Sequence, residues 1–179
     1  IYGRPISENF TLTIGLIMQQ AHDFLKESKL LYELLLERNE SDLELITQFK
    51  NWSIQDVIGH LYLFNVAAIK TVDGPKSFDE FFIPFLQQLQ KGKTMVEAQV
   101  PWLNGLSGKV LLNKWWDSCQ ELEKIYSNTD PKLRVKWAGP EMSARSSITA
   151  RQMETWSHGH EVFDRLGEKR EEGDHIKNI

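Results

Sequence analysis

Along much of the chain, apolar residues recur at intervals of three and four, the spacing of helices with one buried face. The first such run starts near Ser7, a candidate cap, and continues through Leu12, Leu16, Phe24, Leu31, Leu34 and Leu35. The segment "ERNESDLELITQFKN" breaks the period and reads as a connector with room for one more helical turn. In "NWSIQDVIGHLYLFNVAAIKTVDGP" the period returns. Ser53 stands as its N-cap, with Asp56 three residues on in the manner of a capping box. Ile54, Val57, Ile58, Leu61 and Ala68 form its stripe until "DGP" ends it.

Between there and residue 107 the pattern loosens. "KSFDEFFIPFLQQLQKGKTMVEAQV" is helix-prone but interrupted by Pro84 and Gly92, and "PWLNGLSG" reads as a loop. Ser107 is placed to cap a third strong helix carrying Leu111, Leu112, Trp115, Cys119, Leu122 and Ile125, which fails at "SNTDP". "LRVKWAGPEM" reads as a structured loop or short extended piece. A last helix is expected from Ala144 to Leu166, stopped by Gly167. With no sustained strand alternation, the pattern predicts an all-α fold, a four-helix bundle with long crossover connections. Residues 1–167 form the expected bundle. Residues 168–179, charged until Ile176, read as a linker or the start of an incomplete C-terminal element. Because the first residue is Ile1, the numbering is expected to begin inside a longer chain.

Composition narrows the function classes. Apolar residues make up 41% and charged ones 26%, as in folded globular domains. The net charge of −4, with scattered lysines and arginines, argues against nucleic acid and anionic membranes as partners. No apolar run reaches the length of a membrane span. Cys119 is the sole cysteine, which excludes an internal disulfide and a cysteine-based zinc cluster and makes it a small buried hydrophobe on a helix. The reducing cytoplasm is the expected compartment.

Chemistry concentrates on the last helix, in "RQMETWSHGHEVFD". Glu154 and His158 are one turn apart and converge on one face, with Glu161 a turn further. Ser147, Ala150 and Ser157 leave room beside them, and Arg151 is adjacent. Hydrophobic periodicity alone opposes a buried role for that face. It makes Met153, Trp156, His160 and Phe163 the core stripe and leaves Glu154 and His158 as an ordinary exposed pair. On the second helix, His60 borders the apolar stripe beside Val57 and Phe64. As a core-edge histidine it needs one hydrogen bond. Meeting Glu154 and His158 across the bundle, it would complete a divalent-metal site of two nitrogens and one carboxylate with an open position. His22 and His175 have no partner at useful spacing.

These same segments carry a resemblance. "NWSIQDVIGHLYLFN" and "WAGPEMSARSSITARQMETWSHGHEVFDRLG" resemble two motifs of the DinB-like superfamily of metal-binding four-helix bundles, within it the metal-binding domain of mycothiol-dependent maleylpyruvate isomerases. The resemblance implies metal ligands at His60, Glu154 and His158, and demotes His160, where relatives often have glutamine. Relatives commonly carry Asp where this chain has Glu161. A bacterial, divalent-metal-binding protein is implied, with zinc foremost and nickel, cobalt, manganese or iron as alternatives. In characterised relatives the metal activates a low-molecular-weight thiol such as mycothiol, and bacillithiol and glutathione are further candidates. The expected partners are that thiol and an electrophilic small molecule, giving S-transfer or isomerisation. Arg151, Arg145 and Glu161 are candidates for orienting the substrate. Metal-assisted hydrolysis and a non-catalytic binding module remain alternatives, a homodimer is compatible with each, and longer relatives continue into a second small domain.

Overall fold

The computed structural model describes residues 18–179; Ser7, Leu12 and Leu16 lie outside that span. Six helices follow in order: α1 (Gln19–Leu36), α2 (Ile54–Asp73), α3 (Pro75–Gln90), α4 (Met95–Leu103), α5 (Gly108–Ser127) and α6 (Ala144–Leu166). Two-residue strands, β1 (Arg134–Val135) and β2 (Met142–Ser143), pair antiparallel just before α6. The fold is all-α. Of the four long bundle helices, α1 and α2 each pack on α5 and α6 rather than on each other, so α1 stands diagonally across from α2 and α5 across from α6. That square explains the long connections from α1 to α2 and from α5 to α6, which join diagonal helices and must cross an end of the bundle. Helices α3 and α4 link α2 to its neighbour α5 and pack against α2.

The core between the four bundle helices is built from the predicted stripes. Phe24, Leu31 and Leu35 of α1 meet Leu111, Trp115 and Leu122 of α5, with Val57, Ile58 and Leu61 from α2. Each such side chain contributes about 1.5–3 kcal/mol by leaving water. A second apolar cluster, Leu63, Phe78, Phe82 and Phe85, fastens α3 to the far side of α2.

Local chemistry sets the helix ends. At α2 the capping box forms as expected: the Ser53 N–H donates to Asp56 Oδ2 at 2.9 Å and the Asp56 N–H to Ser53 Oγ at 3.0 Å. At α5 the expected cap is replaced. Ser107 makes no capping bond through its side chain. Instead the Gly108 N–H donates to Gln55 Oε1 at 2.6 Å and the Lys109 N–H to Glu40 Oε1 at 3.1 Å. Glu40 belongs to a short 3-10 turn, Glu40–Glu44, in the segment expected to hold one. Its carboxylate also offsets the positive end of the α5 dipole.

Residues 168–179 return along α1 and α6. Glu27 of α1, 1% exposed, is ion-paired with Arg170 and bonded by His175 Nε2 at 2.9 Å. Gln152 Nε2 donates to the His175 carbonyl at 2.6 Å, and Arg170 Nη1 to the Trp156 carbonyl at 2.9 Å. Gly159 permits that crossing, because a Cβ there would lie 2.9 Å from Arg170 Nη1. Among the described residues, no helix is long and apolar enough to cross a membrane.

Candidate metal centre

The site rests on two well-fixed helix starts. The α2 capping box places His60 two turns into that helix, 7% exposed. The β1–β2 hairpin feeds directly into α6, whose first turn is capped by Ser143 Oγ accepting from the Ser146 N–H at 3.1 Å. Two turns further on, Glu154 and His158 project toward His60. His60 Nε2 lies 3.5 Å and His158 Nε2 3.4 Å from the same oxygen, Glu154 Oε2. One donor atom from each of the three residues lies within 4.8 Å of the others.

Those separations test the fit of an ion. They are long for hydrogen bonds, which cluster near 2.9 Å. Two ligands each about 2.1 Å from a tetrahedral zinc stand about 3.4 Å apart, close to the spacing seen here. The charge state also suits a cation. Burial pushes the His60 pKa down from its ordinary value, which keeps the imidazole neutral. The polar ring nitrogens of His158 and His60 beside it hold the Glu154 carboxyl well below the usual range, so it stays ionised.

Aromatic rings hold the histidines. Phe64 packs 4.6 Å and Trp52 5.3 Å from the His60 ring, while Phe49 meets His158 edge-on at 4.9 Å. Trp52 also stacks on His158 at 6.1 Å and 12°. His60 Nδ1 is buried without a hydrogen-bond partner among the described residues, so packing rather than a second-shell carboxylate orients this ring. The loop that delivers Phe49 and Trp52 turns through two left-handed residues, Lys50 (φ 49°) and Asn51 (φ 58°). It is closed by the Thr47 N–H donating to the Trp52 carbonyl at 2.7 Å.

On the other side the triad borders a cavity of about 180 Å³ lined by His60, Phe64, Trp137, Ala150, Arg151 and Glu154. Larger depressions, of about 540 and 550 Å³, lie elsewhere on the surface and are lined by none of the triad.

The other candidate residues are dispersed. Arg151 is buried at the cavity wall. Arg145 is exposed and lines a separate groove with Gln20 and Met153. Glu161 is half-buried and has no ion-pair partner among the described residues. His160 packs on Trp156 at 4.6 Å and lies 3.8 Å from Glu172, outside the triad. Met153 is 48% exposed, which corrects the core stripe read from periodicity. The inward face of α6 runs through Ser147, Ile148, Arg151, Thr155, His158 and Val162, and of the predicted stripe Phe163 is buried with them. His22 and His175, read as unpartnered, pair with Glu123 and Glu27. Ser157, expected beside the site, faces solvent.

Sequence reasoning missed Trp52, Trp137 and Asn65. Each left a signal: Trp52 and Trp137 fall at the start of the two segments that resemble family motifs, and Asn65 is a polar residue inside the apolar run "LYLFNVAAI".

Comparison with known proteins agrees with this architecture. The family described as "Mycothiol maleylpyruvate isomerase N-terminal domain" matches residues 25–163, a span that contains the whole triad. An uncharacterised protein of Mycobacterium tuberculosis, in strains CDC 1551 / Oshkosh and H37Rv, is 30% identical over 133 residues. The aligned region is 74% of this chain and 51% of the relative, so the chain spans about half the length of the curated relatives it matches. No solved structure matches the chain.

Proposed function

The chain belongs to the mycothiol maleylpyruvate isomerase N-terminal domain family, and from that membership and the triad we propose that it binds a divalent metal and works as a metal-dependent, low-molecular-weight-thiol S-transferase or isomerase. The observation that carries the reading is the spacing of His60, Glu154 and His158, whose donor atoms converge without good hydrogen-bond distances. His60 and His158 would supply two imidazole nitrogens and Glu154 one carboxylate oxygen to a first-row ion, zinc foremost. Bound there, the ion would supply Lewis acidity that holds a thiol in its nucleophilic, deprotonated form.

The chain's own residues shape what can approach. Trp52 and Phe49 close the side of the triad that faces the 46–53 loop and exclude water from His158. Glu154, 41% exposed at its side chain, marks the open side. With a divalent ion, one ionised Glu154 and two neutral imidazoles leave a local charge of +1, which attracts a thiolate. Such a thiol is abundant in a reducing compartment, which agrees with a cytoplasmic setting.

Cobalt-substituted protein tests this reading. Mycothiol, bacillithiol and glutathione are each added while the visible spectrum is followed. At least one should shift the cobalt bands through a new sulfur ligand. Tight cobalt binding with no response to any of the three overturns the thiol assignment, and turnover of ester or amide substrates without thiol would indicate hydrolysis instead.

A further inference from the structure

After Gly167 the chain doubles back along the helix that carries two of the three triad residues. Residues 168–179 cross the face of α6 made by Gln152, Trp156, Gly159 and Phe163, behind the face that bears Glu154 and His158. One tie runs from Gln152 Nε2 to the His175 carbonyl at 2.6 Å, and Gln152 is fully buried. The other reaches the helix backbone itself. Arg170 Nη1 donates at 2.9 Å to the Trp156 carbonyl, midway between Glu154 and His158. In an α-helix that carbonyl also accepts the N–H four residues on, so Arg170 is its second donor and fixes the tilt of the peptide.

Arg170 is held from several sides. It is ion-paired with Glu27 of α1, and its guanidinium lies over the rings of Phe163 and Trp156 at 5.6 and 5.9 Å. His175 Nε2 bonds the same glutamate at 2.9 Å, and Asn178 Nδ2 reaches Asp23 of α1 at 3.4 Å. The segment is thus a strap anchored on α1 that grips α6 at residues 152 and 156, on either side of Glu154. Gly159 keeps the passage open, since a Cβ there would lie 2.9 Å from Arg170 Nη1. Glycine inside a helix is less favourable than alanine, so the crossing accounts for Gly159 and the helix does not.

Glu154 and His158 can share one ion only while the turn between them keeps its shape, because a metal tolerates ligand distances within about 0.2 Å. We propose that Arg170 is a positioning residue for the metal centre: through the Trp156 carbonyl it holds the turn carrying Glu154 and His158 in the geometry that takes the ion. Docking of the strap and affinity for the metal are thereby coupled. The inference rests on the proposed metal reading for its effect on affinity, not for its effect on the turn.

Full-length wild type is compared with Gly159→Ala, Arg170→Lys and Asn178→Ala. Zinc affinity is read by competition with a chromophoric chelator, and amide exchange from Thr155 to Glu161 is followed in the metal-free proteins. Gly159→Ala pushes Nη1 off the carbonyl, and Arg170→Lys keeps a cation for Glu27 without the fork that reaches both partners. Asn178→Ala loosens the strap on α1 alone. Coupling between separate sites ordinarily spans about 5- to 150-fold, so the first two variants should bind zinc at least about fivefold more weakly and exchange faster in that turn. Asn178→Ala should stay within about twofold of wild type. Helix propensity by itself predicts the opposite for Gly159→Ala, slower exchange with zinc affinity kept, so a merely structural glycine is told apart. Wild-type zinc affinity in both Gly159→Ala and Arg170→Lys overturns the inference, as does wild-type exchange in both, or an equal loss in Asn178→Ala. If wild type binds no zinc, the metal reading fails, and exchange alone then decides the positioning role: faster exchange in both variants upholds it and unchanged exchange sinks it.

Discussion

Glu27 offers a sharp perturbation because it is an acid sealed in the bundle by the last dozen residues. Its carboxylate is 1% exposed and meets Arg170, 4% exposed at its side chain, and His175. Glu27→Gln removes the charge and strands a buried guanidinium. Breaking a buried pair from one side costs about 3–5 kcal/mol, which in a domain of this size lowers Tm by about 6–20 °C. Deleting residues 168–179 acts differently, because it removes the partners but lets water reach Glu27. In the deleted chain Glu27→Gln should therefore cost less than about 1 kcal/mol, as for other exposed substitutions. Urea melts of the four proteins complete a double-mutant cycle, whose coupling should exceed about 2 kcal/mol. Equal cost of Glu27→Gln in both backgrounds would refute the reasoning, and so would a cost below about 1 kcal/mol in the full chain.

Three further outcomes follow from the site. His160→Gln should leave metal content unchanged, as measured by elemental analysis, because His160 packs on Trp156 outside the triad. Metal-free protein should lose stability on acidification in two windows, followed by urea melts against pH. Below pH 6.5 the unfolded chain protonates a histidine that burial keeps neutral at His60, and below the ordinary carboxyl value of 4.5 it protonates Glu154 before the folded protein does. Glu154→Gln should abolish the second window, and a pH-independent midpoint from 7 to 4 would contradict both. Cys119, fully buried with its thiol pushed up to about 12, should resist alkylation at pH 8 in native protein and react on unfolding, as read by mass spectrometry.

What could be read in the sequence follows from where local chemistry governs. Ser53 with Asp56, and Gly167 after Leu166, mark the ends of α2 and α6 by hydrogen bonds within a few residues, so both bounds were legible. The cap of α5 was not, because Glu40 and Gln55 arrive from distant parts of the chain. Hydrophobic periodicity misjudged α6 for a related reason. This helix turns Arg151, Thr155 and His158 inward and leaves Met153 in solvent, a local inconsistency of the kind expected where function outweighs packing. The resemblance of "ARQMETWSHGHEVFDRLG" to a known motif picked the right face where periodicity did not. The motif segments contain Trp52 and Trp137, but their place around the histidines was not legible, since both reach the site from loops whose course depends on tertiary packing.

The proposed metal site joins His60, Glu154 and His158. Metal analysis of protein purified without a histidine tag, beside His60→Ala and Glu154→Ala, tests it most directly. Wild type should carry roughly one equivalent of a divalent transition metal, lost from both variants while they remain folded. Wild type and variants carrying the same negligible metal, or the same full equivalent, would contradict it.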